Sequence, residues 1–157
     1  MKTTMILSFI LSVMLLSCDH GEQEIIVVPK NFTGYILIIF NQKNGAPPKY
    51  ESKTRVYEIP QDGVLKTQFE GNYGWVGFPE YYYERIVPEN KLPSFVELNK
   101  VPIDTVVAYG GSTGTIKKSS KSEERIEFAA FYIGNKAQIE QAREQVEKLD
   151  ILKLAEE

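Results

Sequence analysis

Apolar residues occur along most of the chain in short runs with the spacing of strands, and the spacing becomes helical only near the C-terminus. Residues 34–40 are apolar at nearly every position, which predicts a central strand covered on both faces. Residues 54–59 and 64–69 flank a Pro-Gln-Asp-Gly turn at 60–63, and this pattern predicts a β-hairpin. The first half of the chain is therefore expected to form a sheet.

The second half continues this pattern and then changes it. Residues 103–109 and 125–133 are typical of strands, and the polar stretch 110–122 between them is expected to be a loop. A helix is predicted over 135–154, where Asn135 is placed to cap it and apolar residues recur every three or four positions. Its apolar stripe is expected to dock on the sheet, with binding to a partner helix as the alternative.

These elements predict a mainly β protein. Strands and helices do not alternate, so we expect an antiparallel β-sandwich-like domain with the C-terminal α-helix packed on the sheet. No repeat or linker divides the sequence, and residues 25–157 are therefore predicted to form a single domain. Immunoglobulin-like and prealbumin-like topologies are both compatible with this order of strands.

The N-terminus has the features of a secretion signal. Lys2 precedes an apolar stretch over residues 5–16, which is too short to span a bilayer as a helix. The stretch ends in Leu15-Leu16-Ser17-Cys18, which resembles the lipobox of bacterial lipoproteins. This resemblance implies a signal peptide over residues 1–17, with Leu15, Leu16 and Ser17 flanking the cleavage site, and lipidation of Cys18. A transmembrane anchor is the alternative interpretation.

The cysteine content supports lipidation. Cys18 is the single cysteine, so an internal disulfide is excluded, and a free thiol in an exported protein would be reactive unless it were modified. The resemblance to lipoproteins also implies an acyl chain on the new α-amino group, and two or more chains give stable attachment. Residues 18–24 are polar after the cysteine and are predicted to be a tether.

Composition and charge narrow the partners further. The chain has 157 residues, of which 43% are hydrophobic, as expected for one globular domain with a core. Of 18 basic and 21 acidic side chains, removal of residues 1–17 takes away only Lys2, leaving 17 against 21 and a net charge of −4. Nucleic acid is therefore not an expected partner, since its binding needs a basic face.

Few catalytic chemistries have candidate residues. His20 is the only histidine and lies two residues from Cys18, so histidine-based nucleophilic sites and metal sites lack ligands in the folded part. No cofactor or metal is expected. The Gly-rich stretch 110–119 lacks the lysine spacing of a phosphate-binding loop. Carboxylates at Glu80, Glu84, Glu89 and Glu97 leave open a hydrolase that acts on envelope glycans.

Aromatic residues are concentrated between positions 73 and 83, alongside glycines. Exposed aromatic side chains offer a large contact area at low entropic cost, so we consider Trp75, Tyr81, Tyr82 and Tyr83 a possible binding surface. The competing interpretation is core packing, because consecutive tyrosines of a strand point alternately inward and outward.

The chain also resembles a known family. The residues that carry the resemblance are the stretch 28–40, the Asn44-Gly45 pair and the stretch 55–67. They are similar to a family of uncharacterised bacterial lipoproteins defined by a domain of unknown function and found mainly in Bacteroidota-type bacteria. The resemblance implies a location in the cell envelope, facing the periplasm or the surface, with attachment through lipid on Cys18. We expect a non-catalytic binding or structural module with an envelope protein or glycan as partner; the alternative is the carboxylate-based hydrolase.

Overall fold

Strands dominate the protein in the computed structural model, which describes residues 21–74, 77–120 and 123–156. Ten strands and two helices lie in these ranges. In chain order the strands are β1 (Glu24–Val28), β2 (Gly34–Ile39), β3 (Tyr50–Glu51), β4 (Thr54–Glu58), β5 (Val64–Lys66), β6 (Glu80–Tyr83), β7 (Lys91–Leu92), β8 (Ser94–Phe95), β9 (Val107–Lys117) and β10 (Arg125–Gly134). The helices are α1 (Lys136–Glu147) and α2 (Ile151–Glu156). The predicted mainly β class is confirmed.

The strands form two mixed sheets. Sheet one has the order β3-β4-β1-β6-β7, and sheet two has the order β5-β2-β10-β9-β8. β1 runs parallel to both β4 and β6, and β2 runs parallel to β5, whereas β10 is antiparallel to β2 and β9. The prediction of antiparallel sheets was therefore wrong. The chain passes repeatedly from one sheet to the other, and such crossovers allow neighbouring strands to run in the same direction.

The main core lies between the sheets. Ile26 and Tyr57 of sheet one pack in the same buried cluster as Ile36, Ile38 and Phe131 of sheet two. Sheet two is also covered on its other face, where Leu37 and Ile39 pack with residues of the helices. This arrangement explains why β2 is apolar on both faces and confirms its predicted central position.

The predicted hairpin over residues 54–69 does not form. β4 belongs to sheet one and β5 to sheet two, so the turn at 60–63 is a crossover between the sheets. Gly63 is required in this turn because its φ is +80° and a Cβ would lie 2.4 Å from the carbonyl oxygen of Tyr35. The crossover allows both Tyr57 and Leu65 to enter the shared core.

The polar stretch 110–122 is also not a loop over its whole length. β9 continues to Lys117 and pairs with β10, which makes a long hairpin. The pairing register shifts opposite Phe131, where Gly110 adopts a φ of +47° in a β-bulge. An apolar alternation is missing here because glycines stand where side chains would otherwise point at the sheet.

The C-terminal helix is divided. Asn135 caps α1 through a capping box with Gln138, as predicted. The expected single helix 135–154 is interrupted at residues 148–150, because the Asp150 side chain accepts a hydrogen bond from the Lys153 amide at 3.1 Å and starts α2. Ile139, Ala142 and Ile151 are buried against sheet two, so the predicted docking of the helix is confirmed.

The N-terminal end of the described chain is held by the domain. Asn72 exchanges two hydrogen bonds with the Glu22 backbone, at 2.9 and 2.7 Å, and Arg55 forms an ion pair with the Glu22 carboxylate. Residues 22–24, predicted to belong to the tether, therefore belong to the folded domain. Residues 1–20, including Cys18 and the cleavage flank at 15–17, lie outside the described residues. Among the described helices, neither has the length and apolar character needed to cross a bilayer.

Candidate binding cleft between the sheets

A cleft of about 300 Å³ opens at the end of the sandwich where β1 and β10 begin. We call it the inter-sheet cleft. One wall is formed by β9 and β10, and the other is formed by the segment that precedes β6. The side chains used in the argument below are Glu24, Phe40, Tyr73, Phe78, Thr113, Thr115, Glu127 and Phe131, all of which line it.

Glycines of β9 shape the first wall. A Cβ at Gly111 would lie 2.5 Å from the Phe131 ring, and a Cβ at Gly114 would lie 2.3 Å from the Phe128 ring. Thr113 pairs with Ala129 and Thr115 with Glu127, so these residues share one face of the sheet and point toward the cleft. The sequence of β9 therefore leaves room for aromatic rings while it lines the cleft with hydroxyl groups.

Glu24 makes this end of the sandwich electronegative. Its carboxylate accepts a hydrogen bond from the Tyr57 hydroxyl at 2.9 Å. Burial is the main cause that raises the pKa of Tyr57, and the negative charge of Glu24 raises it further. The same two causes, again with burial first, raise the pKa of Tyr81. Both phenols are therefore neutral at physiological pH, and the negative charge stays on the carboxylate.

Glu127 contributes the second carboxylate of the cleft. Its Oε2 atom is buried and has no hydrogen-bond partner within residues 21–74, 77–120 and 123–156. The Tyr73 hydroxyl faces this carboxylate, and hydrogen bonding between the two groups is the largest cause that raises the pKa of Tyr73. A Cβ at Gly71 would come within 2.6 Å of Oε2, so glycine is needed beside it. An unpaired buried acceptor favours a ligand that supplies a donor.

The tyrosines predicted as a binding surface lie mostly inside the protein. Tyr81 and Tyr82 are 2% and 7% exposed, and Tyr83 is half-buried. Tyr82 donates a hydrogen bond to Glu80 at 2.6 Å, and Tyr83 donates one to the Phe32 carbonyl at 3.3 Å. Trp75 lies outside the described residues. The aromatic side chains of this region that are exposed are instead Tyr73 and Phe78.

The carboxylates considered for hydrolysis are not gathered in the cleft. Glu84, Glu89 and Glu97 are exposed, and Glu97 pairs with Lys100 at 2.5 Å. Glu80 pairs with Lys91 at 2.7 Å, and this hydrogen bond is the largest cause that lowers the pKa of Glu80. Across the part of the chain that the structure describes, no group of three or more potential metal-ligating side chains occurs.

Sequence reasoning missed Glu24 and Glu127. One signal was present in β10, where Glu127 shares the inward face with Ala129, Phe131 and Ile133. A charged residue at such a position is costly to bury unless it is paired or functional. Glu24 had no comparable signal, because it comes at the end of a polar stretch and its approach to the cleft depends on the tertiary fold.

Comparison with known proteins adds a family. No curated protein matches the sequence. A crystal structure at 2.75 Å of a candidate lipoprotein from Bacillus anthracis matches with 16% identity and a TM-score of 0.47, covering 71% of this chain and 68% of that one. The model of a family of unknown function (DUF6843) matches residues 20–142, which is most of the chain. The predicted relationship to a family without a known activity is thus confirmed, and the chain belongs to this family of unknown function.

Proposed function

We propose that this protein is a lipid-anchored component of the bacterial cell envelope and that its folded domain is a non-catalytic binding module. The anchor is the lipidated Cys18, which follows a stretch of signal-peptide length and is the single cysteine of the chain. The bound molecule occupies the inter-sheet cleft. A Trp75 side chain and a surface of consecutive tyrosines are not needed for this activity.

The observation that carries the binding proposal is the unpartnered Oε2 of Glu127 in the cleft. Leaving a buried carboxylate oxygen without a donor costs about 1–3 kcal/mol, which a ligand with a hydroxyl or amide donor would recover. The rings of Phe40, Phe78 and Phe131 provide apolar area beside it. An envelope glycan or a peptide combines such donors with apolar faces.

Native mass spectrometry of the full-length protein, purified from the membranes of a lipoprotein-processing bacterium, tests the binding. We expect a co-purifying mass that is lost in Thr113→Trp, because the indole would fill the cleft. Ile103→Trp is the matched control, since Ile103 is 74% exposed and does not line the cleft. Retention of the mass in Thr113→Trp, or release of a cleaved product, would contradict a non-catalytic cleft binder.

Charge in the cleft provides a second test. Glu127→Gln keeps the size of the side chain but removes a charged acceptor, so we expect at least tenfold weaker ligand binding. Glu140→Gln on the exposed surface of α1 makes the same chemical change away from the cleft and should leave binding unaltered. Equal affinity in both variants would argue against a role for Glu127.

The anchor is tested separately with Cys18→Ser. We expect loss of lipid incorporation, accumulation of the unprocessed precursor and loss of the mature, membrane-bound form. These outcomes are measured by metabolic labelling with a fatty acid and by the mass of the protein in the membrane fraction. Normal processing and membrane retention of the variant would exclude lipid on Cys18 as the anchor.

A further inference from the structure

A second cavity, of about 390 Å³, lies at the same end of the sandwich on the other face of sheet two. We call it the basic cavity, because it is lined by Lys43, Lys66, Lys118 and Arg125 and by a single carboxylate, that of Glu156. Its position follows from the alternation of side chains: Ile126 lines it, whereas the next residue, Glu127, lines the inter-sheet cleft.

The cations of this cavity are only partly neutralised. Lys118 forms an ion pair with Glu124 at 2.7 Å. Lys43, Lys66 and Arg125 form no ion pair with any residue in the described ranges. Like charges held around one cavity repel one another, and a bound anion relieves this repulsion. Three unpaired cations around one opening are suited to the several oxygens of a phosphate group.

The attachment of the chain places this end of the domain close to a membrane. Glu22 is fixed to Asn72, which lines the inter-sheet cleft, and only four residue steps separate Glu22 from Cys18. Four fully extended residues span at most about 14 Å. With lipid on Cys18, the end that carries both cavities therefore lies next to the headgroups. This step rests on the proposed anchoring at Cys18.

We propose that the basic cavity binds the phosphate of an anionic phospholipid headgroup and so orients the anchored domain on the bilayer. The charge of the cavity supplies the affinity for phosphate, and the short tether supplies the access. The net negative charge of the whole chain makes the concentration of unpaired cations at the membrane-facing end more informative, since the rest of the surface would be repelled from anionic lipid.

Lysine footprinting tests this proposal on the processed, full-length protein. The protein is reconstituted into phosphatidylcholine vesicles with or without phosphatidylglycerol, and acetylation of each lysine is measured by mass spectrometry. We expect phosphatidylglycerol to slow acetylation of Lys43 and Lys66 about fivefold, which is the effect of a basic residue at an anionic surface. Lys53, which lies at the same end but outside the cavity, and Lys30, at the opposite end, should be unaffected.

Each other result is decisive. Slowing of Lys53 as strong as that of Lys66, or no effect of phosphatidylglycerol, would overturn headgroup binding by the cavity. Inorganic phosphate is added in a separate arm with phosphatidylcholine vesicles; protection by phosphate but not by phosphatidylglycerol would overturn the lipid as its source. Protein that does not remain with the vesicles would show instead that the anchoring proposal has failed.

A substitution in the cavity provides the final test. Arg125→Gln removes one unpaired cation at an exposed position, and we expect it to abolish most of the phosphatidylglycerol-dependent protection of Lys66. Arg85→Gln makes the same change at an exposed position elsewhere and should preserve this protection. Full protection in Arg125→Gln would mean that the cavity does not act through its cations.

Discussion

Sheet one and sheet two differ in how their two faces are covered. Sheet two is a middle layer, because sheet one packs on one face and the helices α1 and α2 pack on the other. Sheet one shares only its inner face with this core. Its outer face carries a small apolar cluster formed by Ile25, Val27, Val56 and Tyr82, with Ile86 at its edge.

This difference explains where hydrophobic pattern is informative. A strand with two covered faces is a continuous apolar run, as in β2, whereas a strand with one exposed face combines apolar and polar residues. It also indicates where substitutions should be most damaging. The following predictions test this contrast by urea unfolding of the full chain, from the largest expected effect to the smallest.

Matched isoleucine truncations test the contrast directly. Ile38 of β2 is fully buried in the main core, so Ile38→Ala should lower the free energy of unfolding by about 4 kcal/mol. Ile25 of β1 lies in the small outer cluster, where neighbours can relax into the space, and Ile25→Ala should cost about 2 kcal/mol. Equal costs would show that the outer face of sheet one is as tightly packed as the main core.

The crossover between the sheets is tested at Gly63. Gly63→Ala should cost about 3 kcal/mol, because the residue has a positive φ and the new methyl group would collide with a backbone oxygen that cannot easily move. Gly77→Ala is the control: its Cβ would make ordinary contact with the Gln23 side chain, and the expected change is within about 0.5 kcal/mol. A cost below about 1 kcal/mol at Gly63 would mean that the turn can rearrange.

Alkaline pH should weaken sheet one through its buried phenols. Tyr57 and Tyr81 have pKa values raised above the ordinary 10.0, mainly by burial and further by Glu24. Above about pH 10 the unfolded chain releases these protons while the folded protein retains them, so stability falls as pH rises, by up to about 1.4 kcal/mol per pH unit for each tyrosine.

Tyr81→Phe checks this pH dependence, because a phenylalanine at this position has no proton to release. Stability of the variant should decline less steeply than that of the wild type between pH 10 and 12, as measured by urea unfolding at each pH. Parallel declines for the two proteins would show that burial of Tyr81 does not contribute.

The helical cover of sheet two should have the smallest effect. Asn135→Ala removes the side chain that accepts a hydrogen bond from the Gln138 amide at 3.0 Å, so we expect a loss of about 1 kcal/mol. Asn135→Ser retains a capping oxygen and should restore most of the stability. Identical stabilities of the two variants would mean that docking of α1, rather than its cap, determines this end of the helix.

Local pattern was sufficient to predict the individual elements. The apolar run of β2 and the cap at Asn135 depend on residues that are close in sequence, and the structure confirms both. The sheet assignment of β4 and β5 depends instead on which side of the core each strand occupies, and a Pro-Gln-Asp-Gly turn is compatible with either a hairpin or a crossover. The strand β9 was missed because Gly111 and Gly114 replace side chains by space for neighbouring rings.

The candidate cleft was largely beyond sequence reasoning. Glu24 and Glu127 are far apart along the chain and converge only because β1 and β10 begin at the same end of the sandwich. The aromatic concentration near residues 73–83 did indicate the correct region, but its members divide between core and cleft. Tyr73 is exposed, while Tyr81 is buried, and composition alone does not distinguish them.

The central position of β1 in sheet one has a consequence for biogenesis. Both of its hydrogen-bonding edges are filled by strands from much later in the chain, β4 and β6. When a polypeptide emerges N-terminus first, this apolar strand must wait until residue 83 has appeared, and such long-range parallel pairing is slow. The nascent chain thus exposes a sticky segment during export, and its maturation should depend on chaperones that shield that segment until its later partners arrive.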